Sequence, residues 1–301
     1  MAAMEAEEII PCGTDAGILY VVATPLGNLD DITYRAVEVL SAVDMIAAEN
    51  VSRTRTLCGR YNIRTKVVSY RRENQETRTP RLLENLVSGK NIALVSDAGT
   101  PGISDPGGYL VHAAAGAQIV VRPVPGPCAV IGALSVSAMP AEKFVFLGFL
   151  PNKAARRRKV LASLKNEERT VVFFEAPHRL RPALSDLKDT LGDRRVVVAR
   201  EMTKIFEEFI RGPVSSVLEF LPSGVKGELT IVVEGCRSDQ RSMVAPEDVS
   251  EKVDKLLMDR DISLREVAER FSAENDITYR RAYKICLERK KFLEQTVENG
   301  D

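Results

Sequence analysis

The chain has 301 residues, 45% of them hydrophobic, enough to bury one large core or two ordinary ones. Lys plus Arg and Asp plus Glu number 42 each, so no whole-molecule field draws the protein toward nucleic acid or a membrane, and any such attraction has to come from local patches. No apolar run approaches the ~18 residues a membrane-spanning helix requires, and Cys12, Cys58, Cys128, Cys236 and Cys286, with only His112 and His178, offer no metal-ligand spacing. The expectation is a cytoplasmic, metal-free protein with reduced thiols. Residues 1–16 are acidic, with Glu5, Glu7, Glu8 and Asp15, lack the basic start and apolar core of a signal peptide, and read as a disordered tail.

From Gly17 to Ala23 the chain is almost continuously apolar, as a strand buried on both faces of a parallel sheet would be. Thr24-Pro25-Leu26-Gly27-Asn28 ends it, and Ile32, Ala36, Val39, Leu40 and Val43 follow at helical spacing, with Asp30 or Asp31 placed to cap the helix. The pattern repeats with a strand at Met45–Ala48 and a helix from about Ser52, then a strand at Lys66–Tyr70 and a helix over Pro80–Val87. A strand at Asn91–Val95, an Ala-rich helix near Tyr109–Ala115 and a strand at Gln118–Val121 complete five units. Strands alternating with helices imply a parallel sheet with right-handed crossovers.

Phe144–Phe149, Thr170–Phe174, Arg195–Ala199, Glu207–Gly212 and Lys226–Gly235 read as strands of a second α/β unit, with helices over Ala154–Leu164 and Leu180–Leu191. After Ser238 only helical spacing remains, consistent with a small appendage of about three helices broken near Asp276. The division expected is 1–16 tail, 17–127 and 128–237 as two α/β domains, and 238–301 as the helical appendage.

Two turns carry chemical promise. Ser96 to Gly108 follows a strand and holds four glycines, Pro101, Pro106 and the carboxylates Asp97 and Asp105. Such a loop is open enough for close backbone approach yet stiff, and it sits where open α/β sheets bind small molecules. Pro123-Val124-Pro125-Gly126-Pro127-Cys128 then leads into an apolar helix whose free amides would face the same crevice, although proline at a first helical turn is also simply good helix chemistry. The dinucleotide and NTP glycine motifs are absent, and with 6% aromatics and no tryptophan an aromatic platform for single strands has little compositional support.

These residues resemble a known family. Thr24-Pro25-Leu26-Gly27-Asn28-Leu29-x-Asp31-Ile32-Thr33, Ala48-Glu49-Asn50, Ser96-Asp97-Ala98-Gly99-Thr100-Pro101-x-Ile103-x-Asp105-Pro106-Gly107 and Pro125-Gly126-Pro127-Cys128 are similar to the bacterial 16S rRNA cytidine 2'-O-methyltransferases, of the tetrapyrrole methylase superfamily. Gly148-Phe149-Leu150-Pro151, Glu175-Ala176-Pro177-His178-Arg179, Arg200-Glu201-Met202-Thr203-Lys204 and Lys226-Gly227-Glu228-Leu229 follow in the expected order, so the resemblance covers about 17–235. It implies two α/β domains with S-adenosylmethionine in the cleft between them, a homodimer, and the RNA of the small ribosomal subunit as substrate. It further implies cofactor contacts from Pro25, Asp97, Gly99, Thr100, Pro101, Ile103 and Asp105, from Pro127, Cys128 and Ala129, and from Phe174, Met202, Gly227, Glu228 and Leu229. Asn50 departs from the acidic residue expected after Ala48-Glu49.

A methyl on sulfonium sulfur is already activated, so the protein has mainly to hold an attacking ribose oxygen in line, which supplies ~7–11 kcal/mol. A base, or a cation beside the developing alkoxide, would help. Lys204, Glu201, Asp31, Asp30 and Glu49 are the candidates, Lys204 first because it follows a strand end facing the presumed cleft; for each the bland alternative is a cap, an ion pair or a solvated face. Arg53, Arg55, Arg60, Arg64, Lys66, Arg71 and Arg72, and later Lys153, Arg156, Arg157, Arg158 and Lys159, are dense enough to meet phosphates. The rival readings are a methyltransferase of the same fold acting on a tetrapyrrole or other small substrate, and a non-catalytic RNA-binding assembly factor.

Overall fold

The computed structural model describes residues 16–222, 224–236, 253–254, 256–257, 262–275 and 279–298. Of the tail expected over 1–16, residues 1–15, with Cys12, lie outside the described residues, as does the break expected near Asp276. Contacts divide the chain into two compact units, Met1–Gly235 and Cys236–Asp301.

The first half of the large unit is a parallel sheet of β1 (Leu19–Val22), β2 (Met45–Ala48), β3 (Lys66–Ser69), β4 (Ile92–Val95) and β5 (Val121–Val124), in the order β3-β2-β4-β1-β5. The continuous apolar runs are explained by the packing. Val22, Ile46, Ala93 and Val95 pack on α1 (Tyr34–Ala42) and α2 (Val51–Arg60), whereas Leu19, Ala47, Ile92 and Leu94 pack on α3 (Gln75–Val87) and α4 (Gly108–Gly116).

Three expectations need correction. The cap of α1 is Thr33, whose hydroxyl accepts from the Ala36 amide at 3.1 Å; Asp30 and Asp31 lie in a separate 3-10 turn. Helix α3 begins five residues before Pro80, which lies on an exposed face, where a carbonyl that lacks its helical donor is open to solvent. The last strand starts at Val121 and includes Pro123, because β5 is a sheet edge and an edge strand tolerates a residue with no ladder donor.

Helix α5 (Ala129–Ser135) follows the first sheet but packs Val130, Ala133 and Leu134 on the second, against Val172, Val197, Ala199 and Val232. That sheet comprises β6 (Phe144–Phe149), β7 (Thr170–Glu175), β8 (Arg195–Arg200), β9 (Glu208–Pro213) and β10 (Leu229–Val233), in the order β6-β7-β10-β8-β9. It is mixed: β6 and β7 are parallel, while β10 runs antiparallel to both β7 and β8. Its other face is covered by α6 (Ala154–Ser163), α7 (Pro177–Leu191) and α8 (Val214–Phe220), the last a short helix the sequence reading omits.

Arg157, a candidate phosphate contact, is instead buried, 5% exposed, with its guanidinium 2.6 Å from the Asp186 carboxylate. It ties α6 to α7, and its expected role at the RNA is withdrawn on that ground. Arg157→Glu is expected to cost about 3–5 kcal/mol, because it buries a second carboxylate against Asp186 with only the half-exposed Arg158 left to offset the pair, whereas Arg158→Glu, which leaves the buried Arg157 pair in place, should cost about 1 kcal/mol or less. Thermal melts of the two variants check this.

In the smaller unit, α9 (Leu264–Asn275) and α10 (Tyr279–Glu298) enclose Val267, Ala268, Phe271, Ala282 and Cys286, with Val253. Ser263 and Glu266 form a reciprocal capping box at the start of α9. Arg289 binds both oxygens of Asp254 at 2.8 and 2.7 Å.

Candidate active site

The order β4-β1-β5 brings the loops after three adjacent strands to one carboxyl edge, and short-range bonds lock them together. Thr24 and Gly99 exchange both backbone hydrogen bonds at 2.9 Å, the Thr24 hydroxyl donates to the Ser96 carbonyl, and the Thr100 hydroxyl donates to the Pro127 carbonyl. Gly99 has φ +76°, a conformation that admits glycine readily and branched residues hardly at all.

These loops face the corresponding end of the second sheet. Because β10 is antiparallel, its beginning lies beside the ends of β7 and β8: Leu229 pairs with both Glu175 and Arg200. Residues 174–177, 202 and 227–230, distant in sequence, thereby meet on one wall. Between the two edges is a cavity of about 380 Å³, within the size range of small-molecule sites. Asp97, Gly99, Thr100, Ile103, Asp105, Cys128, Ala129, Phe174, Met202, Gly227, Glu228 and Leu229, all expected cofactor contacts, line it. Pro101 is buried behind its loop, Pro127 acts through its carbonyl, and Pro25 lines a neighbouring chamber. The sequence reading missed Phe149, which packs on Phe174 with ring centroids 5.6 Å apart, and Glu175 to Pro177. Both stretches stand in recognisable motifs, but nothing in their residue types assigns them to a ligand.

The cavity is apolar on one side and acidic on the other. Glu49, just before α2, accepts from the Asp97 amide at 3.1 Å, and burial raises its pKa. Asp97 Oδ2 pairs with Arg53 at 3.1 Å, while its Oδ1 is buried with no hydrogen-bond partner. Burial, with the neighbouring charge of Glu49, lifts Asp105 from 3.8 to about 6. Asn50 accepts from the Ser52 and Arg53 amides as the cap of α2, which gives that position a structural role as an amide.

The raised pKa of Asp105 fixes a sign. Folding favours its neutral form, a contribution complete below pH 3.8 and lost as pH rises through about 6, so the ionised group opposes folding at pH 7.5. Allowing for partial solvent screening, Asp105→Asn should stabilise the protein there by ~1–2 kcal/mol, with the difference from wild type closing below about pH 4. Melts across that range check the prediction.

A second chamber of about 310 Å³ adjoins the cavity, sharing Leu26, Arg53, Asp97, Ala98 and Glu228 with it. Lys204 lines this chamber. Its ammonium is 2.9 Å from Glu201 and 3.0 Å from Glu228; burial pulls its pKa down, but the two carboxylates outweigh that and hold it above the ordinary value. Lys204 therefore remains a cation at neutral pH and is unsuited to taking a proton. Glu201 also accepts from the Glu228 amide, which holds its carboxyl below the usual range.

Two glycines make room for this pair. A Cβ on Gly27 would lie 2.3 Å from the Lys204 stem, and one on Gly227 would lie 2.4 Å from the Glu201 carboxyl carbon. The Asn28 amide donates to the Thr203 hydroxyl at 3.0 Å, joining the loop after β1 to the loop after β8. Asp31 lines neither chamber, and Asp30 pairs with Arg60 on the surface. Arg55, Arg71, Arg72, Arg156 and Arg158 are exposed, with Arg72 reaching the Ser104 carbonyl.

Residues 18–218 match the family described as Tetrapyrrole (Corrin/Porphyrin) Methylases. The chain belongs to this family. Within the tetrapyrrole methylases it is 43% identical over 274 residues to a "Ribosomal RNA small subunit methyltransferase I" of Synechocystis sp., covering 90% of this chain and 98% of that one. The protein of the same name in Bacillus subtilis is 42% identical, over 84% of this chain and 94% of its own length. Among solved structures, the fold is shared with cobalt precorrin-4 methyltransferase (TM-score 0.57, 16% identity, 75% of this chain and 98% of that one). It is shared too with uroporphyrin III C-methyltransferase of Thermus thermophilus (TM-score 0.53, 17% identity, 72% and 97%). The tetrapyrrole methylase architecture thus accounts for both sheets and the cavity between their edges. Among the described residues, no group of three or more His, Cys, Asp or Glu could hold a metal ion, and no helix is long and apolar enough to cross a membrane.

Proposed function

We propose that this chain methylates the ribose 2'-oxygen of a cytidine in the 16S RNA of the small ribosomal subunit, using S-adenosylmethionine, and that it does so in the cytoplasm as a homodimer. The observation that carries the reading is the composite cavity, apolar on one wall and acidic on the other, with a chamber beside it that holds the ion-paired Arg53 and Lys204. The lining suits the cofactor's chemistry. Phe174, Phe149, Met202 and Leu229 offer apolar surface to an adenosine, and Glu49, Asp97 and Asp105 offer negative charge to a cationic amine or sulfonium. The unpartnered Asp97 Oδ1 is an acceptor awaiting such a donor. Similarity over most of the chain to proteins named for the small-subunit RNA selects RNA over a tetrapyrrole as acceptor.

When bound, the cofactor supplies an already activated methyl group. The chain's own task is to orient the ribose hydroxyl, exclude water and handle its proton. Asp105, lifted to about 6, is the group best suited to accept a proton near neutral pH, and burial shifts Glu49 in the same direction. Lys204, fixed between two carboxylates, supplies positive charge on the acceptor side. Exposed Arg55, Arg71, Arg72 and Arg156 would meet phosphates.

The test is transfer of labelled methyl from S-adenosylmethionine to small-subunit particles from cells lacking the gene. Arg71→Glu with Arg72→Glu should reduce transfer and lower the slope of log affinity against log salt by up to ~1 per lost contact, with cofactor affinity retained. Transfer to a tetrapyrrole and none to the particles would overturn the reading.

A further inference from the structure

The loop after β8 carries two large apolar side chains that folding does not use. Lys204 N donates to the Glu201 carbonyl and Glu207 N to the Lys204 carbonyl, both at 3.0 Å, so two tight turns follow one another. Ile205 and Phe206 are the central residues of the second turn and are 95% and 71% exposed. Turn centres ordinarily carry Gly, Pro, Asn, Asp or Ser. The loop is held rigid by left-handed backbone at Glu201 (φ 51°) and Thr203 (φ 67°), by the Thr203 amide bonded to Glu207, and by the Thr203 hydroxyl bonded to Asn28. Conformational strain of this kind persists where the surroundings over-determine it, and it clusters at functional sites.

The position of the turn indicates its occupant. Lys204, which begins the turn, lines the chamber that adjoins the cofactor cavity, together with Arg53. A strand whose ribose enters this chamber meets Lys204 and Arg53 at the wall, each held by a carboxylate, and, two residues beyond Lys204, an exposed ring. To bring a 2'-oxygen to a recessed site, a nucleotide must leave its stack, and RNA-binding proteins compensate the lost stacking with aromatic side chains. Overall composition argues against an extended aromatic surface; one ring on a rigid turn needs no such enrichment.

We propose that the Ile205–Phe206 tip is a stacking platform for an unpaired base of the RNA, on which the strand is held while its ribose enters the chamber beside Lys204 and Arg53. The inference rests on the rRNA reading above and adds the element that holds the unstacked strand.

The chain contains no tryptophan, so Phe206→Trp introduces a single indole reporter in the full-length protein. A short single-stranded RNA of the target sequence should quench its fluorescence, and the same sequence in a duplex should not. Phe206→Ala should raise KM for small-subunit particles by about 5- to 100-fold, the range expected for one lost base stack, with S-adenosylmethionine affinity retained, and Phe206→Trp should restore KM. An unchanged KM in Phe206→Ala, or an indole blind to single-stranded RNA, overturns the platform while leaving the rRNA reading intact. Loss of the native oligomer in Phe206→Ala during sedimentation would overturn it in favour of a contact between copies. Wild-type protein that transfers no methyl to the particles would overturn both.

Discussion

Gly99→Val is expected to weaken S-adenosylmethionine binding at least tenfold. At φ +76° a β-branched residue is a genuine conformational outlier, and any non-glycine side chain there costs roughly 1–2 kcal/mol before contacts are counted. Its Cβ would sit 3.3 Å from the Leu26 side chain and 3.7 Å from the Pro127 carbonyl, both part of the framework of the cavity. Relief of that crowding displaces the Thr24–Gly99 bridge, and with it the alignment of the loops after β1 and β4. A tenfold loss corresponds to ~1.4 kcal/mol, which is met if the variant loop relaxes away from this conformation in the free protein and binding has to restore it. Titration calorimetry of wild type, Gly99→Ala and Gly99→Val should give a graded series; equal affinities would remove this loop from the cofactor site.

Gly227→Ala should act on the other side of the site, lowering kcat/KM for methyl transfer by tenfold or more. The new Cβ would overlap the Glu201 carboxyl group at 2.4–2.5 Å, forcing it away from Lys204 and from the Glu228 amide. Lys204 would then keep only the largely exposed Glu228 as a partner, and its charge would no longer be fixed in the chamber. Gly224→Ala provides the control: it has a comparable positive φ of +75° and open space where its Cβ would lie. Backbone strain alone should lower both melting temperatures by similar amounts, and only Gly227→Ala should impair transfer. Equal activity in the two variants would show that the Glu201–Lys204 pair is dispensable.

Much of the first half is legible in the sequence because its strands are buried on both faces and so appear as uninterrupted apolar runs, as in Leu19–Val22 and Ile92–Val95. Element ends are less legible where two signals compete. Proline looks like the start of a helix at position 80, yet the exposed face there tolerates it inside α3. Asp30 and Asp31 are good capping residues for α1, yet Thr33, closer to the helix, takes that place. The antiparallel insertion of β10 cannot be read from residue types, since a strand buried among neighbours has the same pattern in either direction. The cavity-lining residues of the Asp97–Asp105 loop are recognisable because glycine and proline there constrain the backbone. Arg157 is the instructive failure: a run of basic residues opening a helix predicts a solvated face, and only the position of Asp186, 29 residues on, reveals that one member turns inward. The roles of Gly27 and Gly227 are invisible for the same reason, since the side chains they accommodate come from the loop after β8.

The most direct test of the account is the chemical position of the transferred methyl group. Small-subunit particles from cells lacking the gene are incubated with the protein and S-adenosylmethionine, and their RNA is hydrolysed in alkali. A methylated 2'-oxygen blocks cleavage at its own linkage, so the account predicts one alkali-resistant dinucleotide containing 2'-O-methylcytidine. Methyl recovered only on a base, with every linkage cleaved, would contradict it.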